Sequence, residues 1–562
     1  MLKASLRFII VVLLVLSLVV PKIANSPVAR AQDSIAWVKY SGDVNMGSER
    51  HVIDASVIKD GDTYKMWYTR AETDLNVLGI VNGVTAAIPT AMITHIAGMA
   101  AVLFLSDLSN VDVDEVFDLL NGSSTVIGYA TSSDGKEWSV GDDEVLSGGA
   151  GTWNSVGAPS VIKVADNDYR MWYTRLETEL TRPSLESILT NLGTNGEKKD
   201  ALLNLMDSTH TLIGYAKSTN GVDWTVQSSN ALGASFGGVW DSVADPSVIK
   251  DGSTYRMWYT NSKKDITADI MDDMDPTTFG VDELVDILDG TSAAIGYATS
   301  TDGETWTVQD REVLAGDGGA WNSVASPSVV LEGSTYRMWY TQGETDLEKT
   351  EISTLMSAVA GMTSPLWDML EASSDGDWTE LLNSLSALDT SSVRSLLDGS
   401  NTAIGYAVSD DGAVWTVEND RHLAGSSDAV WRSVSSPSVV RYGDTFEMWY
   451  TEGIDDLNMT NILAVALGTN LPIGFASYSV PDTEEETTTT TATTAATTTE
   501  TTVTVEEIEE METETAAATI EEMETEKAAA IIEVVETEKA AATIEMVETE
   551  KAADIIEMVE TE

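Results

Sequence analysis

Two aspartates, Asp54 and Asp245, are the residues of this sequence best suited to chemistry. They stand at the same place in the first and third copies of a phrase that recurs five times, where the other copies have Ala158, Ser326 and Ser436. Because equivalent positions of a repeat face the same way, both carboxylates are predicted to enter one face of the fold near its axis. Carboxylate oxygens accept hydrogen bonds from ligand hydroxyl groups. We therefore expect a shared polar site.

The residues that precede these aspartates also depart from the repeat. Glu49, Arg50 and His51 replace a Trp-Asn-Ser-Val stretch, and Asp241 precedes the second aspartate. We expect these four residues to contact a ligand. A calcium ion held by the two aspartates, His51 and waters is an alternative, since calcium prefers oxygen ligands. No segment has the spacing of an EF-hand loop, so no residue is assigned as a metal ligand.

The repeat itself predicts the fold. Each copy of the phrase runs from an Asp-Pro-Ser-Val-like segment into Met-Trp-Tyr-Thr and is followed by Ile-Gly-Tyr-Ala or Ile-Gly-Phe-Ala. Four copies continue into a Ser-x-Asp/Asn-Gly-x-x-Trp turn, as at residues 300–306. Each unit supplies four short strands separated by turn residues. Five such units predict a mainly β fold, a five-bladed β-propeller over residues 33–480.

The two ends of the repeat complement each other. The fifth unit stops after residues 473–479 without its Trp strand, and an isolated strand at residues 35–40 precedes the first unit. Pairing of these two segments would close the ring and remove an exposed strand edge.

Tryptophan recurs at two positions of the unit. The second-strand set is Trp67, Trp172, Trp258, Trp339 and Trp449, and the Trp-Asn-Ser-Val set is Trp153, Trp240, Trp321 and Trp431. Positions filled alike in every unit serve the scaffold, so both sets are predicted to form the core between blades.

Long inserts separate the second and third strands of each unit. Several end in amphipathic helical stretches that stop at glycine, such as residues 281–289 before Gly290. We expect helical inserts that cap the face carrying the two aspartates. The insert at residues 75–106 has no charged residue. It is predicted to be a buried helical hairpin or a subunit contact, with a membrane-dipping finger as the alternative.

The blade phrases resemble those of the arabinanase/levansucrase/invertase superfamily of five-bladed glycosidases, similar to glycoside hydrolase families 43 and 32. The resemblance covers residues 33–480 apart from the inserts. It implies that Asp54 acts as nucleophile or general base and that Asp245 stabilises the transition state, although Ala55 replaces the usual proline. It further implies a glutamate acid one or two residues before the proline of a later blade.

That glutamate is missing. The corresponding places hold Gly157-Ala158, Ala325-Ser326 and Ser435-Ser436. General acid catalysis contributes roughly 10²–10⁴-fold, so its loss argues against an ordinary glycosidase. Substitute acids would be Glu72, Glu177 and Glu344, which follow the Trp-Tyr-Thr strands. The alternative for these glutamates is an acidic rim paired with neighbouring arginines.

Composition limits the setting in which the protein works. Residues 1–32 combine Lys3 and Arg7, an apolar run and Ala29-Arg30-Ala31, which is typical of a cleaved signal peptide, with an uncleaved anchor as the alternative. We therefore expect a secreted or cell-surface protein. The net charge of −60 argues against nucleic acid as a partner. The absence of cysteine excludes disulfides and thiolate chemistry.

The C-terminal extension has two parts. Residues 481–512 form a Thr/Glu-rich linker, which is predicted to be an extended stalk. Residues 513–562 contain a repeat of Thr every twelve residues, which favours short stacked helices. These repeats resemble the N-terminal helical repeats of bacterial magnesium transporters, from which we infer no transport function.

Two functions follow from these features. A carbohydrate-binding or surface-display propeller with a degenerate active site is favoured by the missing glutamate. An active glycoside hydrolase with Asp54 as base and a displaced acid is favoured by the aspartate pair. Both have carbohydrate as a partner. Association with a cell surface or membrane is compatible with either, and the oligomeric state stays open.

Overall fold

The computed structural model describes the repeat region of the chain. The described residues are 37–40, 44–46, 52–71, 125–148, 155–178, 183, 209–233, 242–264, 291–316, 323–345, 400–425, 433–452 and 473–479. The chain divides into two compact units, Met1–Pro481 and Asp482–Glu562, and every described residue belongs to the first. The predicted signal peptide, helical inserts, linker and C-terminal repeats lie outside the described residues.

Twenty strands form five four-stranded antiparallel sheets, each of which is one blade. Blade one contains β2 (Val52–Asp60), β3 (Thr63–Ala71), β4 (Thr125–Ser132) and β5 (Trp138–Leu146). Blade two contains β6 (Val156–Ala165), β7 (Asp168–Thr178), β8 (Thr209–Ser218) and β9 (Trp224–Leu232). Blade three contains β10 (Ser242–Asp251), β11 (Thr254–Lys264), β12 (Thr291–Ser300) and β13 (Thr307–Ala315).

Blade four contains β14 (Val324–Glu332), β15 (Thr335–Thr345), β16 (Ser400–Ser409) and β17 (Thr416–Leu423). Blade five contains β18 (Val434–Tyr442), β19 (Thr445–Glu452) and β20 (Ile473–Ser479), and its fourth strand is β1 (Val38–Lys39) from the start of the chain. The predicted mainly β, five-bladed propeller is confirmed.

The ring closes between the two ends of the repeat region. β1 pairs antiparallel with β20, so that Val38 lies opposite Ser477. Trp37, which precedes β1, makes a T-shaped contact with Trp339 at 5.9 Å between ring centroids. The other four blades have the same kind of pair, at 5.9–6.2 Å. The predicted closure strand therefore takes the place of the missing Trp strand in both pairing and packing.

The core lies between neighbouring blades. The five second-strand tryptophans are fully buried, which confirms their predicted role. Four of them donate a hydrogen bond from Nε1 to the turn glycine of the next blade, for example Trp258 to the carbonyl of Gly412 at 2.8 Å. Edge-to-face aromatic pairs stabilise a core beyond the area that they bury. The tryptophans of the Trp-Asn-Ser-Val set lie outside the described residues.

A closed ring of hydrogen bonds joins the inner strands. The hydroxyl of a serine in each inner strand accepts a hydrogen bond from a backbone N–H of the next blade at 2.9–3.0 Å. The acceptors are Ser56, Ser160, Ser247, Ser328 and Ser438. One of these hydrogen bonds crosses the junction of blades five and one. The inner strands are therefore joined at this junction in the same way as between the other blades.

Antiparallel pairing determines the end of the propeller from which the inserts leave. The inner strand of each blade begins at the same end at which the second strand finishes and the third strand starts. The inserts are therefore connected at the end where the inner strands begin. Among the described residues, no helix has the length and apolar character needed to cross a membrane.

Candidate functional site

The inner strands share a distortion at their first third. In every blade the pairing of the first two strands shifts register around one residue, a β-bulge. These residues are Asp54, Ala158, Asp245, Ser326 and Ser436, and their φ angles lie between 43° and 51°. Left-handed backbone is uncommon for residues other than glycine. The bulges turn five equivalent residues toward the axis.

Four threonines fix four of these bulges from the neighbouring second strands. The Thr69 hydroxyl accepts a hydrogen bond from the Ala158 N–H at 2.7 Å. The Thr260 hydroxyl accepts one from the Ser326 N–H at 2.9 Å. Thr174 and Thr341 do the same for the next blades. The threonine of the Met-Trp-Tyr-Thr phrase in blades one to four thus holds a strained backbone of the adjoining blade in place.

Asp54 has a hydroxyl partner on each carboxylate oxygen. Ser436 donates to Oδ1 at 2.8 Å across the junction of blades five and one. Thr69 donates to Oδ2 at 3.3 Å. Both oxygens are therefore committed to hydrogen bonds that favour the ionised carboxylate.

Asp245 is bound unevenly. Thr260 donates to its Oδ2 at 2.9 Å, and Ser326 of blade four donates to the same oxygen at 3.2 Å. Oδ1 accepts no hydrogen bond from the described residues. It is not one of the fully buried polar atoms without a partner, so it keeps some accessible surface. One oxygen of Asp245 is therefore available to a ligand.

The two carboxyl groups line one axial cavity. Its volume is about 40 Å³, which leaves room for one or a few water molecules. The lining consists of the five left-handed residues and the residue after each, a proline in four blades and Ala55 in blade one. No cationic side chain belongs to this described lining. The cavity therefore presents acceptor oxygens on an otherwise largely apolar wall.

Burial makes both carboxyl groups hard to ionise. It raises the pKa of Asp54 above its usual value, while hydrogen bonds from Ser436 and Thr69 lower it. Burial and, to a lesser extent, the charge of Asp54 raise the pKa of Asp245 to about 7, against the opposing hydrogen bonds from Thr260 and Ser326. The charge of Asp54 acts on Asp245, and Asp245 is the carboxyl group that keeps its proton up to about pH 7.

The structure brings the two principal predicted residues, Asp54 and Asp245, together at the axial cavity. None of the other candidates belongs to the described lining of that cavity. Glu177 pairs with His210, and Glu344 pairs with Asn401, through their strand backbones. Glu72 and the predicted contacts Glu49, Arg50, His51 and Asp241 lie outside the described residues. In the described part of the chain no three His, Cys, Asp or Glu residues cluster as metal ligands would.

Sequence reasoning missed the hydroxyl groups of the site. Ser326 and Ser436 stand where the resemblance implies an acid, and each donates a hydrogen bond to a site aspartate. Thr69 and Thr260 were read as part of a structural phrase. The signal was present, because the serines occupy the same repeat position as the aspartates. Their bonds cross from one blade to the next, which a comparison within one unit does not reveal.

Comparisons with known proteins give limited matches. No family model matches the chain. Two proteins of Mycobacterium tuberculosis, the uncharacterized proteins MT1551 (strain CDC 1551 / Oshkosh) and Rv1502 (strain ATCC 25618 / H37Rv), are each 33% identical over 99 residues. That match covers 18% of this chain and 27% of each relative, so the chain spans little more than a quarter of their length.

Several solved structures are similar to the chain at low identity. One, from a study of GH130 mannoside phosphorylases and hydrolases that target β-1,2 mannosidic linkages in Candida mannan, has 13% identity and a TM-score of 0.41, covering 82% of this chain and 97% of that one. A β-1,2-mannobiose phosphorylase from Listeria innocua has 10% identity and a TM-score of 0.40, covering 79% and 97%.

An exo-1,5-α-L-arabinanase from a bovine ruminal metagenomic library has 11% identity and a TM-score of 0.35, covering 80% of this chain and 95% of that one. At these values the likeness carries no argument about activity. None of the comparisons supports the resemblance of residues 513–562 to magnesium transporters.

Proposed function

We propose that the protein binds a saccharide at the axial cavity through Asp54 and Asp245. The observation that carries this proposal is the convergence of both carboxyl groups on one cavity, with an uncommitted oxygen on Asp245. Neutral sugars offer many hydroxyl donors, and carboxylate oxygens are strong acceptors. The site therefore suits a hydroxyl-rich ligand.

The charge of the lining favours a neutral sugar. Two carboxyl groups and no cationic side chain among the described lining residues would repel a carboxylated or phosphorylated ligand. The small volume accommodates a hydroxyl or hydroxymethyl group rather than a whole sugar ring. The rest of the ligand would extend toward the end where the inner strands begin, from which the inserts also leave.

The backbone supports a functional role for these positions. Five left-handed residues, none of them glycine, surround the cavity. Such conformations cost free energy and persist where the surrounding structure holds them, often at binding sites. Thr69 and Thr260, which hold two of these bulges, also donate hydrogen bonds to the aspartates. The same two hydroxyl groups therefore hold the strained backbone and bind the carboxyl groups of the site.

The proposal extends to location. The charge and apolar pattern of residues 1–32 supports export, and the chain contains no cysteine that would need a reducing compartment. A saccharide-binding site would then face extracellular or cell-surface glycans.

A glycan array tests the proposal. The full chain without residues 1–32 is expected to bind neutral glycans and to lose roughly 10–100-fold in affinity in Asp54→Asn, the range for a hydrogen bond to a charged group. Asp62→Asn is the matched control, because this exposed turn residue lies in the same blade. If Asp54→Asn and Asp245→Asn both bind the glycan as the wild type does, the saccharide binds at another place on the protein and the proposal is wrong.

A further inference from the structure

We propose that Asp245 is the proton donor of a glycosidic bond hydrolysis in which Asp54 is the base. This inference rests on the proposed saccharide binding and adds an activity to it. It replaces the missing glutamate with a residue already in the cavity, so the glutamates of the rim are not required.

The hydrogen bonds assign different roles to the two groups. Asp54 accepts on both oxygens, which favours its ionised form. Asp245 accepts twice on Oδ2 and leaves Oδ1 without a described partner. A carboxyl group that donates needs one oxygen to carry the hydrogen and to point at the ligand. Asp245 has such an oxygen, and Asp54 does not.

The position between them is filled by the smallest side chains of the ring. Blade two lies between the two aspartates and contributes Ala158 and Pro159 to the cavity lining, with Gly157 directly before them in the strand. A side chain at Gly157 would meet the Thr69 hydroxyl at 2.8 Å. Blades four and five instead contribute serines, whose hydroxyls are already bound to the aspartates. Blade two is therefore the side of the cavity from which a ligand can reach both carboxyl groups.

The surroundings keep Asp245 protonated up to about pH 7. Its pKa is raised to about 7, first by burial and then by the charge of Asp54, the one titratable group acting on it among the described residues. A general acid works best when its pKa lies near the working pH. Among carboxyl groups that share a site, divergent environments separate the acid from the base.

The reaction balances with water as the co-reactant. Oδ1 of Asp245 gives its proton to the glycosidic oxygen as the bond from that oxygen to the anomeric carbon breaks. A water molecule attacks the anomeric carbon and gives its proton to Asp54. Proton exchange with solvent then returns Asp54 to the carboxylate and Asp245 to the acid. Because Asp54 activates a water molecule and does not itself attack the anomeric carbon, inversion at that carbon is expected.

Leaving-group dependence tests the assignment. The probes are phenyl and 2,4-dinitrophenyl glycosides of a panel of neutral pentoses and hexoses. Because the dinitrophenolate leaves without acid assistance, Asp245→Asn is expected to lower the rate on the phenyl glycoside by at least ~100-fold and on the dinitrophenyl glycoside by less than ~10-fold. Asp54→Asn is expected to lower both rates alike, and Asp62→Asn neither.

A measurement on the unmodified protein provides a second test, should a variant fail to fold. The rate on the phenyl glycoside is expected to fall as the pH rises through about 7, because the donor loses its proton, while the dinitrophenyl rate does not follow. Equal losses on both substrates in Asp245→Asn, or no difference between the pH profiles, would overturn the assignment. Saccharide binding without hydrolysis of any probe would overturn it and leave the proposed function standing, whereas no binding would refute the proposed function itself.

Discussion

Replacing Asp245 by asparagine should stabilise the propeller at alkaline pH. The native state holds the proton of this carboxyl up to about pH 7, whereas the unfolded chain releases it near the ordinary aspartate pKa of 3.8. Between these values the native state binds more protons than the unfolded state, so stability falls as the pH rises and is constant above the native pKa. Asparagine has no proton to lose and escapes this penalty.

The magnitude follows from the same values. Each unit of pKa shift corresponds to ~1.4 kcal/mol, so a rise from 3.8 to about 7 sets an upper bound of ~4 kcal/mol. Both aspartates keep part of their surface toward the cavity, and water there screens the burial. We therefore expect a gain of about 1–2 kcal/mol at pH 8, from roughly half of that bound or less. Asparagine also tolerates the left-handed backbone at this position.

Urea unfolding of the wild type and Asp245→Asn from pH 5 to pH 8.5 measures this difference. The gain should grow up to neutral pH and then level off. Asp62→Asn, an exposed substitution of equal charge change, corrects for the removal of one negative charge from a very acidic chain. A gain that is independent of pH, or a loss of stability at pH 8, would refute the assigned ionisation of Asp245.

Four further tests concern the scaffold, the chain organisation and the charge of the protein. Trp258→Phe should cost ~1–2 kcal/mol more than Trp339→Phe by urea unfolding, because Trp258 Nε1 donates a hydrogen bond and Trp339 Nε1 has no acceptor among the described residues; equal costs would contradict this. Gly214→Ala should cost ~1–3 kcal/mol, since its new Cβ would lie 2.4 Å from the Tyr173 ring, and a neutral result would contradict that packing. Brief proteolysis should cut within residues 483–504 and release an intact propeller, and an uncut chain would contradict this. The melting temperature should rise between about 10 mM and 1 M NaCl, and an unchanged melting temperature would contradict the expected repulsion among the acidic residues.

The fold could be predicted because each unit of the repeat contains turn-forming and strand-forming residues whose preferences act locally. Turn residues separate β-branched and aromatic runs in each unit, and the Trp strand missing from the last unit stands at residues 35–40. Since these signals act within a few residues, the pairing of β1 with β20 could be deduced without coordinates. The meeting of Asp54 and Asp245 followed from the same reasoning, since equivalent positions in a ring converge on its axis.

The chemical state of the site could not be predicted. It depends on which oxygen each donor reaches, and these donors come from neighbouring blades that are distant in sequence. Ser436, which donates to Asp54, lies 382 residues after it in the chain. The sequence showed serine where a glutamate was expected, and this was interpreted as a loss of function. Ser436 donates to one oxygen of Asp54, whose other oxygen is bound by Thr69. Ser326 donates to the oxygen of Asp245 that Thr260 also binds, so the second oxygen of Asp245 has no described partner.

A crystal structure of the protein with a neutral glycan selected on the array tests the central claim most directly. The account predicts ligand density in the axial cavity, with a sugar hydroxyl or glycosidic oxygen within hydrogen-bond distance of Asp245 Oδ1 and a second oxygen near Asp54. Density for the same glycan between blades or on the outer strands, with the axial cavity holding only water, would contradict it.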